Sequence, residues 1–439
     1  MAWEFQTDPA FQDQLDWMAG FVRDQVAPLD LVYRGPADPF DPAGPAFAHI
    51  RPLQAVVRDK RLWACHLGPE LGGPGFGQVK LALMNEILGR SRFAPTVFGT
   101  QAPDTGNAEI LARFGTQTQQ RRFLDPLMAG QVASCFAMTE PQAGADPAEF
   151  RTRARRDGDH WVIDGEKWFA SHADFAAFLI VMAITDPEVP IHQGASLFLV
   201  PRDTPGLQVV RNVAVGPRDA IGGGVHGYLR FDGCRLGADS LLGGPGQGFA
   251  VAQSRLGGGR VHHAMRTVGV LNKALDMMCE RVLSRRTKGE PLSDKQMVQE
   301  KIADSYTQLT QFRLHVLYAA WLLDRDQGYS RAARREISAV KAAMPKVLGD
   351  IVYRALHLHG SLGLSNETPL MDMWQTVPEM GIVDGPTEVH KVAVAKAVLR
   401  DRAPAPGLFP SYHVPGSREA ARRHLNDAAP QGGKDDAIA

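Results

Sequence analysis

The run Cys135-Phe136-Ala137-Met138-Thr139-Glu140-Pro141-Gln142-Ala143-Gly144-Ala145-Asp146 joins an apolar, strand-like segment to a threonine. A Pro/Gly turn rich in free backbone N–H groups follows. An apolar floor, a hydroxyl at one edge and amides turned toward a phosphate are what a flat, polar-edged ring such as a flavin requires. Two further segments carry chemistry. Gly165-Glu166-Lys167-Trp168-Phe169-Ala170-Ser171 ends in an aromatic and a hydroxyl, and Asp384-Gly385-Pro386-Thr387-Glu388 sets a carboxylate ahead of a helix start.

The elements that must position these groups change character along the chain. From about 8 to 130 the pattern is helical: Phe11, Leu15, Met18, Phe21 and Val22 recur at helix spacing, as do Leu81, Leu83, Met84, Ile87 and Leu88. Residues 67–77 are a Gly/Pro-rich loop. Asp104-Thr105-Gly106-Asn107 starts a helix with the stripe Ile110, Leu111, Phe114. From about 131 to 240 short β-rich segments (160–163, 178–184, 196–200, 207–210, 228–231) alternate with turns, which predicts an antiparallel barrel or sandwich. Helical periodicity then returns, with Val270, Ala274, Leu275, Met278 and Val282 on one face and Ile302, Tyr306, Leu309, Phe312 and Val316 on another. Long helices with short connections predict a four-helix bundle. The expected division is α+β and multidomain: an all-α domain over 1–130, a β-barrel over 131–245, a bundle over 246–400 and a Pro/Gly-rich tail over 401–439. The tail is expected to lie on the surface or stay disordered.

Composition narrows the function. A chain of 439 residues holds two or three domains. Its 48 basic and 48 acidic side chains balance without a Lys/Arg cluster, which argues against nucleic acid or an anionic membrane as main partner. Cys65, Cys135, Cys234 and Cys279 lie far apart with no CxxC pair and read as free thiols in a reducing compartment. The longest apolar run, 175–184, is too short to span a membrane and suits a buried strand. Met1-Ala2-Trp3-Glu4-Phe5 lacks a basic leader and Asp436-Ala437-Ile438-Ala439 is no peroxisomal tripeptide, so a cytoplasmic location is expected. Gly222-Gly223-Gly224-Val225-His226-Gly227 satisfies GxGxxG but precedes a strand, so it reads as a hairpin loop rather than a dinucleotide fingerprint. His357 and His359 fall on different helix faces and His262-His263 has no third ligand, so no metal is expected and helix packing is their reading.

The three segments and the helix–β–helix order resemble the acyl-CoA dehydrogenases over roughly residues 5 to 400. That resemblance implies FAD. The hydroxyl of Thr139 would meet the pyrimidine edge, that of Ser171 would lie beside N5, and Phe169 would pack on the ring. Phe136, Met138, Gly144 and Ala145 would border it. Ala145 replaces the family's usual Ser, leaving only a backbone amide for the flavin or the CoA arm. Ser284-Arg285-Arg286-Thr287-Lys288-Gly289 with Gln296 resembles the motif whose Arg reaches the FAD pyrophosphate of a neighbouring subunit, a task suited to a bidentate guanidinium. Arg285 aligns with it, and Arg286 is the alternative; Lys288 replaces the usual Phe. His357, Gly360 and Ser361 correspond to the turn that meets the adenylate, with His for Gln and Ser for Gly, and Glu388 is a further cofactor contact. Cofactor sharing implies a homo-oligomer.

The resemblance also implies a base, because Asp384 stands where the family has the carboxylate that removes the proton alpha to a thioester. Such a base needs an apolar, water-poor pocket and an electrophile at the thioester oxygen, supplied in the family by the acid's own backbone N–H and a flavin hydroxyl. Asp is about 1.5 Å shorter than the usual Glu. The alternative is that Asp384 only caps a helix. The other base position of the family is Gly259 here, just before Arg260, which with Gly385 would meet substrate. The phrases 102–107, 259–269 and 384–390 resemble the branch whose animal members carry a kinase-like domain, which has no counterpart in these residues, and use an Asp base. The implied activity is oxidation of an acyl-CoA to the trans-2-enoyl-CoA, with an electron-transfer flavoprotein as acceptor. A flavin oxidase or monooxygenase of the nitroalkane-oxidase type and a non-catalytic homologue are the competing readings.

Overall fold

The computed structural model describes residues 6–216, 222–326 and 328–428. The terminal residues weighed as targeting signals, Met1–Phe5 and Asp436–Ala439, lie outside them. The chain forms two compact units, Met1–Lys391 and Val392–Ala439.

In the first unit the helices α1 (Pro9–Phe21), α2 (Phe47–Asp59), α3 (Gln78–Leu88) and α4 (Asp104–Phe114) precede the sheet. After it come α5 (Gly248–Ser284), α6 (Gln296–Arg325), α7 (Arg331–His359), α8 (Leu370–Met380) and the start of α9 (Thr387–Arg400). Asp8 caps α1, its side chain accepting from the Phe11 N–H, and Pro9 sits at a position where a missing N–H costs nothing. One apolar core joins the early and late helices: Met18, Ile50, Met84 and Phe98 pack with Met265, Leu271, Val316 and Leu348. Close approach of α3 to α5 depends on Gly269, where an added Cβ would lie 2.2 Å from the Glu86 carbonyl oxygen. Two expected core positions differ. Tyr306 and Phe114 both face solvent in this chain, at the edges of their helical stripes.

The sheet holds β1 (Ser134–Ala137), β2 (Arg153–Asp157), β3 (His160–Ser171), β4 (Phe178–Ile184), β5 (Ala195–Pro201), β6 (Leu207–Val213), β7 (His226–Gly237) and β8 (Leu241–Leu242). Its path is β6-β7-β3-β2-β4-β5-β8, with β1 on β4. Purely antiparallel pairing was expected; instead β1 and β2 both pair parallel to β4. The reason is the connection from β1 to β2 through 138–152, which returns the chain in its original direction. The path is open between β6 and β8 among the described residues, yet β1 to β7 all send side chains into one core. Strand β4 is buried on both faces, as its unbroken apolar run requires. Leu179, Val181 and Ala183 face that core, while Phe178, Ile180 and Met182 face Ile110, Leu111, Val251 and Ala252 of α4 and α5.

The loop leaving β1 is fastened to β3 by a buried ion pair. The Lys167 side chain is 0 % exposed and that of Glu140 2 %. The ammonium donates to Glu140 Oε1 and to the Met138 carbonyl, each at 2.8 Å, and lies 4.8 Å from the centre of the Phe150 ring. Glu140 Oε1 also accepts from the Thr152 N–H, and Oε2 accepts from the Arg151 N–H and Gln142 Nε2. Four donors fill the carboxylate's acceptor sites. Burial pulls the Lys167 ammonium down to about 8 against the opposing pull of Glu140. Burial would raise Glu140, but the Lys167 charge and these hydrogen bonds outweigh it and hold the carboxyl below its usual range.

In the second unit the tail, expected to lie on the surface or stay disordered, contains α10 (Val414–Asp427), entered at Pro415 in the first turn and with no buried side chain. Its Arg- and Ala-rich sequence has helix propensity without the apolar stripe that the sequence reading relied on. No described helix is long and apolar enough to cross a membrane.

Lys167→Met leaves Glu140 charged and buried, and is expected to cost about 3–5 kcal/mol of stability. Urea unfolding midpoints measure it. Adding Glu140→Gln should recover part of the loss, and a double variant no better than the single one places the cost elsewhere.

Candidate active site

The sheet edge carrying Thr139, Phe169 and Ser171 is shaped by a bulge. Lys167 pairs with Leu229 and Ala170 with Gly227, so Trp168 and Phe169 together oppose Tyr228. The extra residue is Phe169, held at φ +53° and 41 % exposed. A bulky residue in that region costs of order 1–3 kcal/mol and persists only where its surroundings impose it. Trp168 supplies the restraint: its N–H donates to the Thr139 carbonyl at 2.8 Å, and its ring packs edge-on to Tyr228 beneath the Arg211 guanidinium. The Thr139 hydroxyl has no partner among the described residues. Ser171 Oγ lies 2.9 Å from His226 Nδ1. Phe136 and Met138 are half-buried beside this edge, and Gly144 and Ala145 are exposed on the following turn. An exposed aromatic on a rigid bulge, a free hydroxyl and a Gly turn fit a flat polar-edged ring.

Asp384 lies in the connection between α8 and α9, which reverses through two left-handed residues, Asp384 at φ +56° and Gly385 at φ +109°. Only glycine serves at 385, because a Cβ would also lie 2.9 Å from His390 Nε2. The Asp384 carbonyl accepts from Arg260 Nε at 2.8 Å and His390 Nε2 at 3.3 Å. A carbonyl only accepts, so the His390 proton sits on Nε2. The carboxylate itself is 14 % exposed and makes no bond to the first turn of α9; Thr387 turns back to the Gly381 carbonyl instead. Oδ2 lies 3.6 Å from His263 Nε2. It also occupies the space that a side chain at 259 would fill, 2.9 Å from the position of a Cβ. The Asp384 N–H donates to no acceptor among the described residues.

Arg255, Gly259 and His263 recur every fourth residue on one face of α5, which carries this site. Three adjacent glycines meet different neighbours there: Gly257 the Tyr329 ring, Gly258 the Glu109 carboxylate and Gly259 Asp384. The Arg255 guanidinium lies 4.1 Å from the centre of the Phe136 ring, and its Nε donates to Asn107 Oδ1. Asn107 in turn donates to Ser134 Oγ at the start of β1, so α5 and the sheet edge are bonded to each other through Asn107. Burial lowers Arg266 to about 10 and Lys341 to about 8, with the Asp384 charge opposing it in both. Burial also brings His263 and His390 to about 4, so both imidazoles are neutral at pH 7.

The remaining expected residues lie elsewhere. Arg285 ends α5, and Arg286-Thr287 pairs with Glu290-Pro291 in a hairpin turned by Lys288 and Gly289, both at positive φ. Arg286 Nη2 donates to the Gly289 carbonyl, while the Arg285 side chain is exposed with no partner among the described residues. Gln296 opens α6, exposed. Gly360 (φ +66°) and Ser361 are exposed where α7 ends, with the His357 ring 4.3 Å from that of Tyr353. Arg281 donates to the His359 carbonyl at 3.4 Å, so this turn and the hairpin share one end of the bundle. Along α5, Arg285 is roughly 39 Å from Gly259 at 1.5 Å per residue. Glu388 is exposed. Surface clefts of about 320 and 350 Å³ contain none of the expected residues. No group of three metal-ligating side chains comes together among the described residues.

Sequence reasoning gave His263 to helix packing, whereas it meets the Asp384 carboxylate. Only His262 packs, its ring 6.2 Å from that of His66. His390 and Arg255 were also missed. His390 stands inside the 384–390 phrase, six residues after the acid, and that proximity was its only signal.

Three family descriptions match in order: acyl-CoA dehydrogenase N-terminal domain over residues 15–131, middle domain over 135–234 and C-terminal domain over 246–399. A Mycobacterium tuberculosis protein named "Probable acyl-CoA dehydrogenase FadE2" is 40% identical over 372 residues, covering 84% of this chain and 89% of its own. Acyl-CoA dehydrogenase family member 10 of Mus musculus is 36% identical over 407 residues, which is 90% of this chain but only 37% of that protein. A solved structure from Mycobacterium abscessus, named for an acyl-CoA dehydrogenase, is 37% identical with a TM-score of 0.81, covering 91% of this chain and 100% of that one. With all three domains matched in sequence, and a relative of similar length matched nearly throughout, the chain belongs to the acyl-CoA dehydrogenase family.

Proposed function

We propose that this chain is an FAD-dependent acyl-CoA dehydrogenase in which Asp384 removes the alpha proton of the thioester. The observation that carries the reading is the carboxylate's placement. It is nearly buried, held by a left-handed backbone against the side-chain-free position 259, and does not cap α9. The Asp384 N–H, without an acceptor of its own, polarises the thioester oxygen, while Arg260 and His390 hold the following peptide by the Asp384 carbonyl. Neutral His263 borders Oδ2 at 3.6 Å without protonating it. Gly385 leaves room for substrate beside the base.

Phe136, Met138, Thr139, Phe169 and Ser171 hold the flavin ring, with backbone amides at Gly144 and Ala145 beside it. Bound there, FAD supplies the acceptor for the hydride leaving the beta carbon. Its adenylate half meets Arg285, Thr287, Gln296, His357, Gly360, Ser361 and Glu388 of a second subunit. Two observations support the sharing: the length of α5 keeps Arg285 far from its own Asp384, and Leu283, Met297, Tyr306 and Tyr353 expose apolar surface on these helices. The product is a trans-2-enoyl-CoA, and the electrons pass to an electron-transfer flavoprotein. Cys65, Cys135, Cys234 and Cys279 are free thiols, in keeping with a reducing compartment such as the cytoplasm.

Asp384→Asn keeps the shape but cannot accept a proton. FAD and acyl-CoA should still bind while anaerobic flavin bleaching by acyl-CoA slows about a thousandfold. Bleaching at near wild-type rate with full flavin occupancy sinks the assignment. Gly259→Ala displaces the end of a flexible side chain rather than backbone. It should leave thermal stability near wild type yet slow bleaching about a hundredfold, the cost of moving a reacting group by about 1 Å; unchanged rates would mean that the carboxylate is not held for chemistry. Arg285→Ala should weaken FAD binding roughly ten- to a hundredfold in titrations of apo-protein, the worth of one charge-assisted hydrogen bond. Arg286→Ala should change it little, and the reverse order would exchange their roles.

A further inference from the structure

His226 opens β7 within the Gly-rich stretch 222–227. It is the cross-strand partner of Ser171, and its Nδ1 lies 2.9 Å from Ser171 Oγ. Its ring centre is also 5.4 Å from that of Phe169, with the planes 31° apart. A single imidazole therefore lies against both the bulged Phe169 ring and the Ser171 hydroxyl beyond it. The backbone holds it from both sides: His226 pairs with Val213 of β6, and the adjacent Val225 carbonyl accepts from the His172 N–H at 2.7 Å. Burial lowers the His226 pKa from its ordinary value, and a neutral imidazole carries one nitrogen able to donate and one able to accept.

We propose that His226 is a positioning residue that decides which hydrogen-bonding side of the Ser171 hydroxyl is presented to the flavin ring. The inference rests on the reading above that Ser171 borders the ring. A hydroxyl has one proton and two lone pairs. Where Nδ1 accepts, Ser171 gives its proton to His226 and turns only lone pairs toward the ring. Where Nδ1 carries the proton, Ser171 accepts from His226 and its own proton is free to point at the ring. The ring nitrogen that takes up hydride changes in the same sense, from acceptor when oxidised to N–H donor when reduced. A hydroxyl locked in one sense favours one oxidation state, and an unheld hydroxyl rotates to serve either. His226 thereby biases the flavin's redox balance through Ser171 without touching substrate.

The test is an equilibrium reductive titration of the FAD-loaded protein against a redox dye, without acyl-CoA. Wild type is compared with His226→Leu, His226→Asn, Ser171→Ala and the His226→Leu/Ser171→Ala double variant. His226→Leu should shift the oxidised-to-reduced ratio about tenfold, ~30 mV for a two-electron couple. His226→Asn, whose amide keeps a polar atom near the place of Nδ1, should restore most of it. In the Ser171→Ala background His226→Leu should add nothing, because the effect acts through the hydroxyl. An unchanged ratio in His226→Leu overturns the proposal, as does an equal shift with and without the serine. If Ser171→Ala leaves the flavin spectrum and ratio untouched, the placement of Ser171 beside the ring fails as well. A shift in Ser171→Ala with none in His226→Leu defeats this inference alone.

Discussion

Glu140 and Lys167 form an ion pair shut away from water, and the geometry of the sheet edge hangs on it. Neither charge would survive there alone, since each would carry a desolvation cost of several kcal/mol. Together they draw the Met138 carbonyl, the Thr152 N–H and the Arg151 N–H to one point. That junction ties the loop after β1 to the middle of β3. The bulge begins at the next residue, Trp168, so the position of Phe169 and Ser171 follows from where the lysine is anchored. Apolar side chains of similar volume could fill the same space, but they would not dictate which carbonyl the strand meets.

Helix α5 performs the matching task for Asp384. Its face presents Arg255 to Phe136, Gly259 to the Asp384 carboxylate, Arg260 to the Asp384 carbonyl and His263 to Oδ2. The short acid reaches this helix because nothing projects from position 259. Asp at 384 and Gly at 259 are two halves of one steric arrangement.

Much of this was legible in the sequence, and the omissions have physical causes. Strand β4 announced itself because both its faces are buried and every residue is apolar. Strand β2, Arg-Ala-Arg-Arg-Asp, left no such trace: it buries only Ala154, its other residues are exposed, and Asp157 pairs with Arg235 of β7. Parallel pairing of β1 and β2 with β4 is a property of the connection, which no local pattern reports. The segments around Thr139, Ser171 and Asp384 stood out as contiguous phrases. His263, His390 and Arg255 did not, because their meaning comes from what lies opposite them in space. Helix α10 went unread because a helix with no buried side chain has no apolar period to read.

The three adjacent glycines in the first third of α5 leave the helix weakest where Asp384 meets it. Each gives up about 1 kcal/mol of intrinsic helix preference relative to alanine. Over 37 residues the helix is continuous, so this stretch is kept wound by what leans on it: the Tyr329 ring, the Glu109 carboxylate and Asp384. The support is mutual. The loop bearing Asp384 is steadied by a helix that the same loop helps to keep wound, so fraying of either loosens the other. Amide hydrogens near 257–259 and near 384–385 would then exchange with solvent as one cooperative unit, opening and closing together well below the energy of global unfolding.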